Sequence, residues 1–252
     1  MQLGSQLRRL LSQRSLLPWR LARQQTVRWG SDRKLHLGLR YYEPAALRAL
    51  VRRAGERGFA VGIHAGGDEA IAMAVEALAA APLGPLPRRI DHFFFVDNAV
   101  LHRAVDSGIN VVVQPRQLYD VGDWIRQTGL PPRLAYQGFA QMREAGAVLA
   151  GSSDAPVLTF DVLSAIDSAV RRTLPSGAIL APEQRITVAD ALHMYTRGAA
   201  TALGMEGEIG QLRPGARADA VLLSEPLDTI PPERISEVGV LATFAGRVVA
   251  EP

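Results

Sequence analysis

Short apolar stretches alternate with amphipathic stretches from residue 41 onward, and this alternation restricts the possible folds more than any other feature of the chain. The residues from Glu43 to Glu56 have helical apolar spacing, Gly58 ends that pattern, and Phe59 to Ile63 follow as a short buried strand. Strands that alternate with helices at this rhythm form βαβ units, which build a parallel sheet. We therefore predict an α/β fold.

The same alternation predicts further elements along the chain. The predicted strands are Arg89–His92, Ile109–Val113 and Ala147–Ala150, and the predicted helices are Glu69–Ala81, Asp97–Ser107, Tyr136–Ala145, Phe160–Arg172 and Thr187–Ala200. A long loop from Arg116 to Arg133 is predicted after the third strand. Beyond residue 206 the pattern changes to turns and short strands, at Ala220–Leu223, Leu241–Phe244 and Arg247–Val249, which predicts a small β unit.

A polar side chain ends each of four predicted strands. His64, His92, Gln114 and Asp154 lie at the ends of successive predicted strands, 22 to 40 residues apart, about the length of one βα unit with its loops. All strands of a parallel barrel end at the same mouth, so we expect these four side chains to converge on one pocket. For any one of them alone, a structural hydrogen bond or a turn is the favoured explanation, and only the grouping favours a site.

The chemistry of this set predicts metal-assisted hydrolysis. His64, His92 and Asp154 offer two imidazoles and a carboxylate, which suit Zn²⁺, Mn²⁺ or Fe²⁺, and the chain has no cysteine that could supply a thiolate. A bound metal acidifies a water molecule, and Asp154 could take that proton and return it to a leaving amine. Gln114 is better suited to hydrogen-bonding a substrate than to binding the metal.

Other candidate residues carry weaker signals. Tyr119 and Trp124 lie in the predicted loop and are candidates for contacting substrate at the mouth, although an ordinary surface loop explains them equally well. His102 and His193 fall within predicted amphipathic helices, and His36 lies near the N-terminus. We assign no site role to these three histidines.

The first 34 residues differ in charge from the rest of the chain. They hold seven Arg together with Lys34 and Asp32, a net charge of +7, whereas the remaining residues carry a net charge of −4. The basic excess is confined to this leader, so we expect no nucleic-acid partner. Its composition fits an organelle transit peptide, a disordered basic arm or the product of an incorrect gene boundary.

Neither a membrane span nor a secretory signal is predicted from the sequence. No apolar run approaches the roughly 18 residues that a membrane span requires, and the leader lacks a continuous apolar segment. We therefore expect a cytoplasmic protein without a membrane partner. The predicted parts are a disordered, strand-free leader (residues 1–37), an α/β unit (residues 38–205) and the small β unit (residues 206–252).

Six motifs, in this order, carry a resemblance to a known family. They are Val61–Asp68 (VGIHAGGD), Arg89–His92 (RIDH), Gln114–Pro115, Gly151–Val157 (GSSDAPV), Tyr195–Ala200 (YTRGAA) and Gly210–Val221 (GQLRPGARADAV). Together they resemble the C-terminal half of amidohydrolase family 3, the metal-dependent hydrolases of the urease-related superfamily. The likeness runs from about residue 38 to residue 250.

The resemblance implies a (β/α)₈ barrel with a composite β-sandwich that cleaves amide-type, non-peptide C–N bonds of small molecules. It implies that His64 and His92 match the metal ligands after the fifth and sixth barrel strands. Asp154 matches the acid after the eighth strand, which binds metal and serves as the base. The implied cofactor is a divalent metal, most often zinc, as one ion or as two if a missing half is supplied.

The chain also departs from the family pattern. The only histidine before His64 is His36, so the His-x-His pair of the first barrel strand is absent. Many family members also carry a metal-bridging lysine after the fourth strand, whereas the sole lysine here, Lys34, lies in a segment without a predicted strand. Four βα units are recognisable where a full barrel has eight, which predicts a partial barrel, about strands five to eight, in a truncated chain. Such a chain would associate with copies of itself or with a complementary N-terminal half. The alternative is an inactive fragment or pseudoenzyme that acts as an interaction protein.

Overall fold

A computed structural model describes residues 27–29, 35–37, 40–131, 133–246 and 248–250. Its α-helices are α1 (Pro44–Glu56), α2 (Asp68–Ala79), α3 (Asn98–Asp106), α4 (Gln117–Thr128), α5 (Phe139–Glu144), α6 (Val162–Arg171), α7 (Val188–His193) and α8 (Ala199–Leu203). Its strands are β1 (Val27–Trp29), β2 (Leu35–Leu37), β3 (Val61–Ala65), β4 (Arg88–His92), β5 (Phe95–Val96), β6 (Asn110–Val113), β7 (Ala135–Tyr136), β8 (Leu149–Gly151), β9 (Asp219–Leu223), β10 (Val240–Ala245) and β11 (Val248–Ala250). A π-helical turn, Met194–Gly198, joins α7 to α8.

A four-stranded parallel sheet in the order β3-β4-β6-β8 forms the centre of the fold. Because successive side chains of a strand point to opposite faces, each strand contributes to two environments. Ile90, Val111 and Val113 are fully buried in the main core with the helices. On the other face, Val112 and Ala150 pack with α8 in a separate small cluster. The predicted α/β class with a parallel sheet is therefore confirmed.

Side-chain caps fix where several helices begin. Asp97 accepts a hydrogen bond from the backbone N–H of Ala99 at the start of α3, and Asp161 accepts one from Ser164 at the start of α6. At the start of α7, Thr187 and the residue three positions later cap each other's backbone N–H groups reciprocally. Each cap satisfies a backbone donor of the first turn, and the caps account for the predicted starts near residues 97, 161 and 187.

The predicted loop from Arg116 to Arg133 is wrong. Residues Gln117–Thr128 form helix α4, which buries Leu118, Gly122 and Ile125. These positions are spaced by four and three residues, which places them on one face of a helix. Several of the other helix residues are polar or charged, and two prolines follow at 131 and 132. This composition resembles a loop when the buried face is not known.

The predicted helix from Tyr136 to Ala145 begins later than expected. Ala135 and Tyr136 form the short strand β7, which pairs antiparallel with β5, and helix α5 starts only at Phe139. Gln137 adopts a left-handed backbone conformation (φ 44°), which interrupts helical geometry between the strand and the helix. The short pairing with β5 thus overrides the local helical pattern.

The leader is not free of strands, contrary to the prediction. Strands β1 and β2 pair antiparallel, with Arg28 opposite His36 in the backbone register. The other residues of the predicted leader, including Lys34, lie outside the described residues. Whether a domain boundary falls at residue 37 stays a prediction.

The C-terminal part forms a three-stranded antiparallel sheet in the order β11-β10-β9. This arrangement confirms the predicted strand near Ala220–Leu223 and the hairpin that follows it. The assignment of residues 206–252 to a β-sandwich stays a prediction. In the part of the chain that the structure describes, no helix combines the length and apolar character needed to cross a membrane.

Candidate active site

The parallel sheet gathers the predicted site residues at one edge. His64 lies one residue before the end of β3, His92 ends β4, Gln114 follows β6, and Asp154 follows β8 by three residues. The strands run in the same direction, so their carboxyl ends share one edge. A cavity of about 310 Å³ opens there, and all four side chains contribute to its lining. The sequence-predicted convergence of these residues is present in the structure.

His64 and His92 are in direct contact. The Nδ1 atom of His64 lies 3.0 Å from the Nε2 atom of His92, and the ring centroids are 4.9 Å apart in an edge-to-face arrangement. The His92 backbone has a φ of 87°, a left-handed conformation that a residue with a side chain rarely adopts. Such unusual backbone geometry concentrates at functional sites, which agrees with the position of His92 at the cavity.

Gln114 and Ser152 hold His92 from the side away from His64. The Oε1 atom of Gln114 lies 2.9 Å from His92 Nδ1, and the Gln114 Nε2 atom donates to the Ser152 hydroxyl oxygen at 2.9 Å. Gln114 is only 2% exposed, and its backbone carbonyl accepts a hydrogen bond from the buried amide of Gln137. The side chain of Gln114 is thus part of a fixed hydrogen-bonded network.

Asp91 and Arg89 occupy the corresponding place beside His64. The Nε2 atom of His64 lies 3.7 Å from Asp91 Oδ2, and Arg89 Nε donates to the other carboxylate oxygen at 3.0 Å. His64 and Asp91 face each other in the register of β3 and β4. Sequence reasoning missed Arg89, Asp91 and Ser152, because only the strand register shows that they contact the histidines.

Asp154 lines the same cavity but does not complete a compact ligand cluster with the two histidines. Its backbone lies in the left-handed region (φ 55°), directly after Gly151–Ser153. Among the residues that the structure describes, no group of three or more His, Asp or Glu side chains is close enough to hold a metal ion. The structure therefore pairs two of the three predicted ligands and leaves the third at the cavity wall.

Tyr195 supports the loop that leads to Asp154. A Cβ atom placed on Gly151 would approach the Tyr195 ring to 2.7 Å, so this ring packs directly on the glycine backbone. The Tyr195 hydroxyl lies 3.4 Å from the Ser152 carbonyl oxygen. Burial raises the pKa of the Tyr195 phenol well above its usual value, so the hydroxyl stays protonated at neutral pH and can donate to that carbonyl.

Tyr119 and Trp124 are not among the residues that line this cavity. Both lie on helix α4, where Tyr119 is 38% and Trp124 is 61% exposed. The guanidinium of Arg116 lies 4.2 Å from the centre of the Tyr119 ring, a cation–π contact. A substrate-binding role for the two aromatic residues stays a prediction.

The two facing imidazole nitrogens suit part of a metal site. A tetrahedral zinc ion lies about 2.0–2.1 Å from each nitrogen ligand, which sets two such nitrogens roughly 3.3 Å apart. The observed separation of 3.0 Å between His64 Nδ1 and His92 Nε2 is close to that value. The described residues thus fit one side of a divalent metal site, and the other side needs ligands beyond this pair.

A second, larger cavity of about 630 Å³ lies along β3. Its walls are mostly apolar side chains of α1 and β3, such as Leu47, Val51 and Ile63, and it extends to His64. Within the described residues, β3 pairs with β4 on one side only, so its other side is an open sheet edge. Tyr41, at the rim of the cavity, is 85% exposed.

Fold and site together define a class. A parallel α/β sheet that gathers polar side chains at its carboxyl edge is the arrangement of α/β proteins that build their sites from strand ends. The sequence model of the amidohydrolase family matches residues 10–250, and the chain belongs to this family.

Individual relatives agree with this membership. The chain is 29% identical over 224 residues to the N-substituted formamide deformylase of Arthrobacter pascens, covering 86% of this chain and 41% of the relative. It is 28% identical over 220 residues to the putative amidohydrolase YtcJ of Bacillus subtilis, covering 85% of this chain and 42% of the relative. The chain thus spans about two fifths of the length of these curated relatives.

A solved structure shows the same fold. An uncharacterized metal-dependent hydrolase from Pyrococcus horikoshii superimposes with a TM-score of 0.67 at 26% sequence identity, covering 78% of this chain and 40% of that chain. That neighbour is described as a metal-dependent hydrolase, and the matched part is again about two fifths of its length.

Proposed function

We propose that this chain carries one side of the active site of a metal-dependent amidohydrolase that cleaves amide-type, non-peptide C–N bonds of small molecules. The observation that carries this proposal is the 3.0 Å contact between His64 Nδ1 and His92 Nε2 at the carboxyl edge of the parallel sheet. Two ring nitrogens that converge at this distance are spaced for a shared cation. Membership of the amidohydrolase family supports the same chemistry.

The residues of the chain divide into ligands and a proton carrier. His64 and His92 would hold the metal through the facing nitrogens, and zinc suits a site of imidazole and carboxylate ligands. When bound, the metal polarises the scissile carbonyl and acidifies a water molecule. Asp154, at the wall of the same cavity, would accept a proton from the water and transfer it to the leaving nitrogen.

The substrate class follows from the bond that is cleaved. The Arthrobacter pascens relative is named a deformylase of N-substituted formamides, which contain an amide C–N bond. The cavity of about 310 Å³ at the site is at the lower end of the usual volume range for small-molecule pockets. We therefore propose a small amide-type substrate for this chain.

We further propose that the parallel sheet is part of a barrel and that β3 is where the barrel continues. The open edge of β3, the apolar cavity beside it and the exposed Tyr41 form a surface suited to further strands and helices of the same family. Those elements would come from a complementary N-terminal half or from another copy, and they would supply the remaining metal ligands. An inactive pseudoenzyme that binds partners through this surface is the second candidate, favoured by the incomplete ligand set among the described residues.

Metal binding tests the first proposal. Purified chain should retain a divalent ion in equilibrium dialysis against zinc, and His64→Ala, His92→Ala and Asp154→Ala should each weaken this binding. Substituting one of two paired nitrogen ligands should cost at least tenfold in affinity, since each contributes a direct bond to the metal.

The matched controls are His102→Ala and His193→Ala, which remove imidazoles on helices α3 and α7 that do not line the cavity. These two variants should bind zinc as the original chain does. Equal zinc binding by all five variants, or no binding by the original chain, would refute the proposed metal site.

A further inference from the structure

The outer nitrogens of the two facing histidines each have a polar neighbour held in place by a second residue. His92 Nδ1 lies 2.9 Å from the Gln114 amide oxygen, and the Gln114 amide nitrogen donates to Ser152. His64 Nε2 lies 3.7 Å from the Asp91 carboxylate, which accepts a hydrogen bond from Arg89. A polar neighbour within hydrogen-bond distance determines which nitrogen of an imidazole ring carries the proton.

The orientation of the Gln114 amide is decisive for His92. An amide oxygen only accepts hydrogen bonds, so at 2.9 Å from Nδ1 it requires a proton on that nitrogen. A neutral imidazole carries one ring proton, so the Nε2 atom of His92 then has a free lone pair. That lone pair points to His64 Nδ1, which lies 3.0 Å away.

We propose that Gln114 is a positioning residue: its amide oxygen holds the Nδ1 proton of His92, which keeps the Nε2 lone pair directed to the space shared with His64. Ser152 contacts the other end of the same amide, because its hydroxyl oxygen accepts from the Gln114 amide nitrogen. The tautomer assignment stands on the geometry alone. Its consequence for metal affinity rests on the proposed function.

This role differs from the substrate contact predicted for Gln114 from the sequence. The Gln114 side chain is 2% exposed, and both ends of its amide already bond to protein groups. Its backbone carbonyl is also fixed by the buried Gln137. A buried, fully engaged amide acts on the reaction through the ring that it orients and not through contact with substrate.

Asp91 has the same type of position beside His64, and its effect is smaller. The distance of 3.7 Å exceeds that of a direct hydrogen bond, and the His64 side chain is 73% exposed. Solvent can therefore replace Asp91 as a partner of His64. The buried contact between Gln114 and His92 is the one that fixes a proton.

Nitrogen NMR of the metal-free chain tests the assignment. With ¹⁵N-labelled histidine at about pH 8.5, where an ordinary imidazole is neutral, two-bond ¹H–¹⁵N correlations report which ring nitrogen of His92 is protonated. We expect the Nδ1–H form in the original chain. The Nε2–H form of His92 in a folded, metal-free chain would overturn the proposal.

Two variants of similar size separate the positioning role from mere packing. Gln114→Met removes the acceptor and should shift His92 to the Nε2–H form, which is the preferred form of a free imidazole in water. Gln114→Glu keeps an acceptor oxygen and should retain the Nδ1–H form. An unchanged His92 tautomer in Gln114→Met would also overturn the proposal. His102 and His193 serve as internal controls, and their spectra should be the same in every variant.

Ser152→Ala provides a second route if Gln114→Met does not fold. It removes the hydrogen-bond partner of the Gln114 amide nitrogen, so the amide is less restrained, and His92 should then show a mixture of both tautomers. A single Nδ1–H form in Ser152→Ala would contradict the role of Ser152 in holding Gln114.

Zinc affinity measured on the same samples connects the tautomer to the proposed function. Gln114→Met should bind zinc 10- to 100-fold more weakly, the usual effect of losing an outer partner of a histidine ligand, whereas Gln114→Glu should bind as the original chain does. The expected tautomers without zinc binding by the original chain would refute the proposed function alone. Zinc binding with His92 in the Nε2–H form would refute the positioning role alone.

Discussion

Replacing Gly198 by alanine should destabilise the chain, although the helical backbone at this position, taken alone, predicts a stabilisation. Gly198 has helical backbone angles (φ −60°, ψ −44°) between the π-helical turn and α8. In the interior of an ordinary helix, a Gly→Ala substitution stabilises by about 1 kcal/mol, because alanine loses less backbone entropy on folding. Considered from local structure alone, Gly198→Ala should therefore stabilise the chain.

The packing of Gly198 against β8 predicts the opposite. A Cβ atom on Gly198 would lie 1.9 Å from the carbonyl oxygen of Leu149 and 3.2 Å from that of His193. Leu149 is held in the sheet by its parallel pairing with Val111. Moving β8 away from Gly198 would therefore disturb the pairing of β8 with β6. Overpacking costs about 1–3 kcal/mol, and the short 1.9 Å approach to a backbone atom places this site at the upper end of that range. Subtracting the helical gain of about 1 kcal/mol leaves an expected net destabilisation of about 2 kcal/mol.

Thermal and urea unfolding monitored by circular dichroism measure this effect. For a chain of this length, about 2 kcal/mol corresponds to a fall in Tm of roughly 4–8 °C. The matched control is Gly239→Ala, because a Cβ atom there would meet its nearest neighbour, the Ser224 hydroxyl, at 3.5 Å. Gly239→Ala should leave stability unchanged within about 0.5 kcal/mol. A Gly198→Ala variant as stable as the original chain would refute the close approach of this helix to β8.

Two further predictions concern the core and the open sheet edge. The buried guanidinium of Arg172 donates to the carbonyl oxygens of Leu180, Gln137 and Tyr136, so Arg172→Met should remove three hydrogen bonds from the interior and lower the free energy of unfolding by about 3 kcal/mol or more. A loss below about 1 kcal/mol in urea unfolding would contradict this prediction. If the edge of β3 and its apolar cavity are an interface, the chain should self-associate with rising concentration in analytical ultracentrifugation. Val61→Lys, on β3 in the cavity wall, should weaken that association. If the original chain is a monodisperse monomer with a sharp, concentration-independent unfolding transition, that result would count against the interface.

Local patterns were sufficient for most of the parallel sheet. Strands β3, β6 and β8 each contain a short apolar run with a polar residue at or after its end, and this signal depends only on neighbours in sequence. The same locality explains the errors. The sequence predicts a loop around Leu118 and Ile125 because the residues that bury this face of α4 lie elsewhere in the chain. It predicts a helix at Tyr136, whereas pairing with Phe95 places this residue in a strand.

The sequence by itself determined the α/β class and the four strand-end residues, His64, His92, Gln114 and Asp154, because strand direction in a parallel sheet brings such ends to one edge. Only the tertiary structure decided which of these residues are in contact. The pairing of β3 with β4 brings His64 and His92 into contact. The Gln114 side chain contacts the other ring nitrogen of His92. Those contacts depend on distances between strands far apart in sequence, and no pattern of neighbouring residues contains that information.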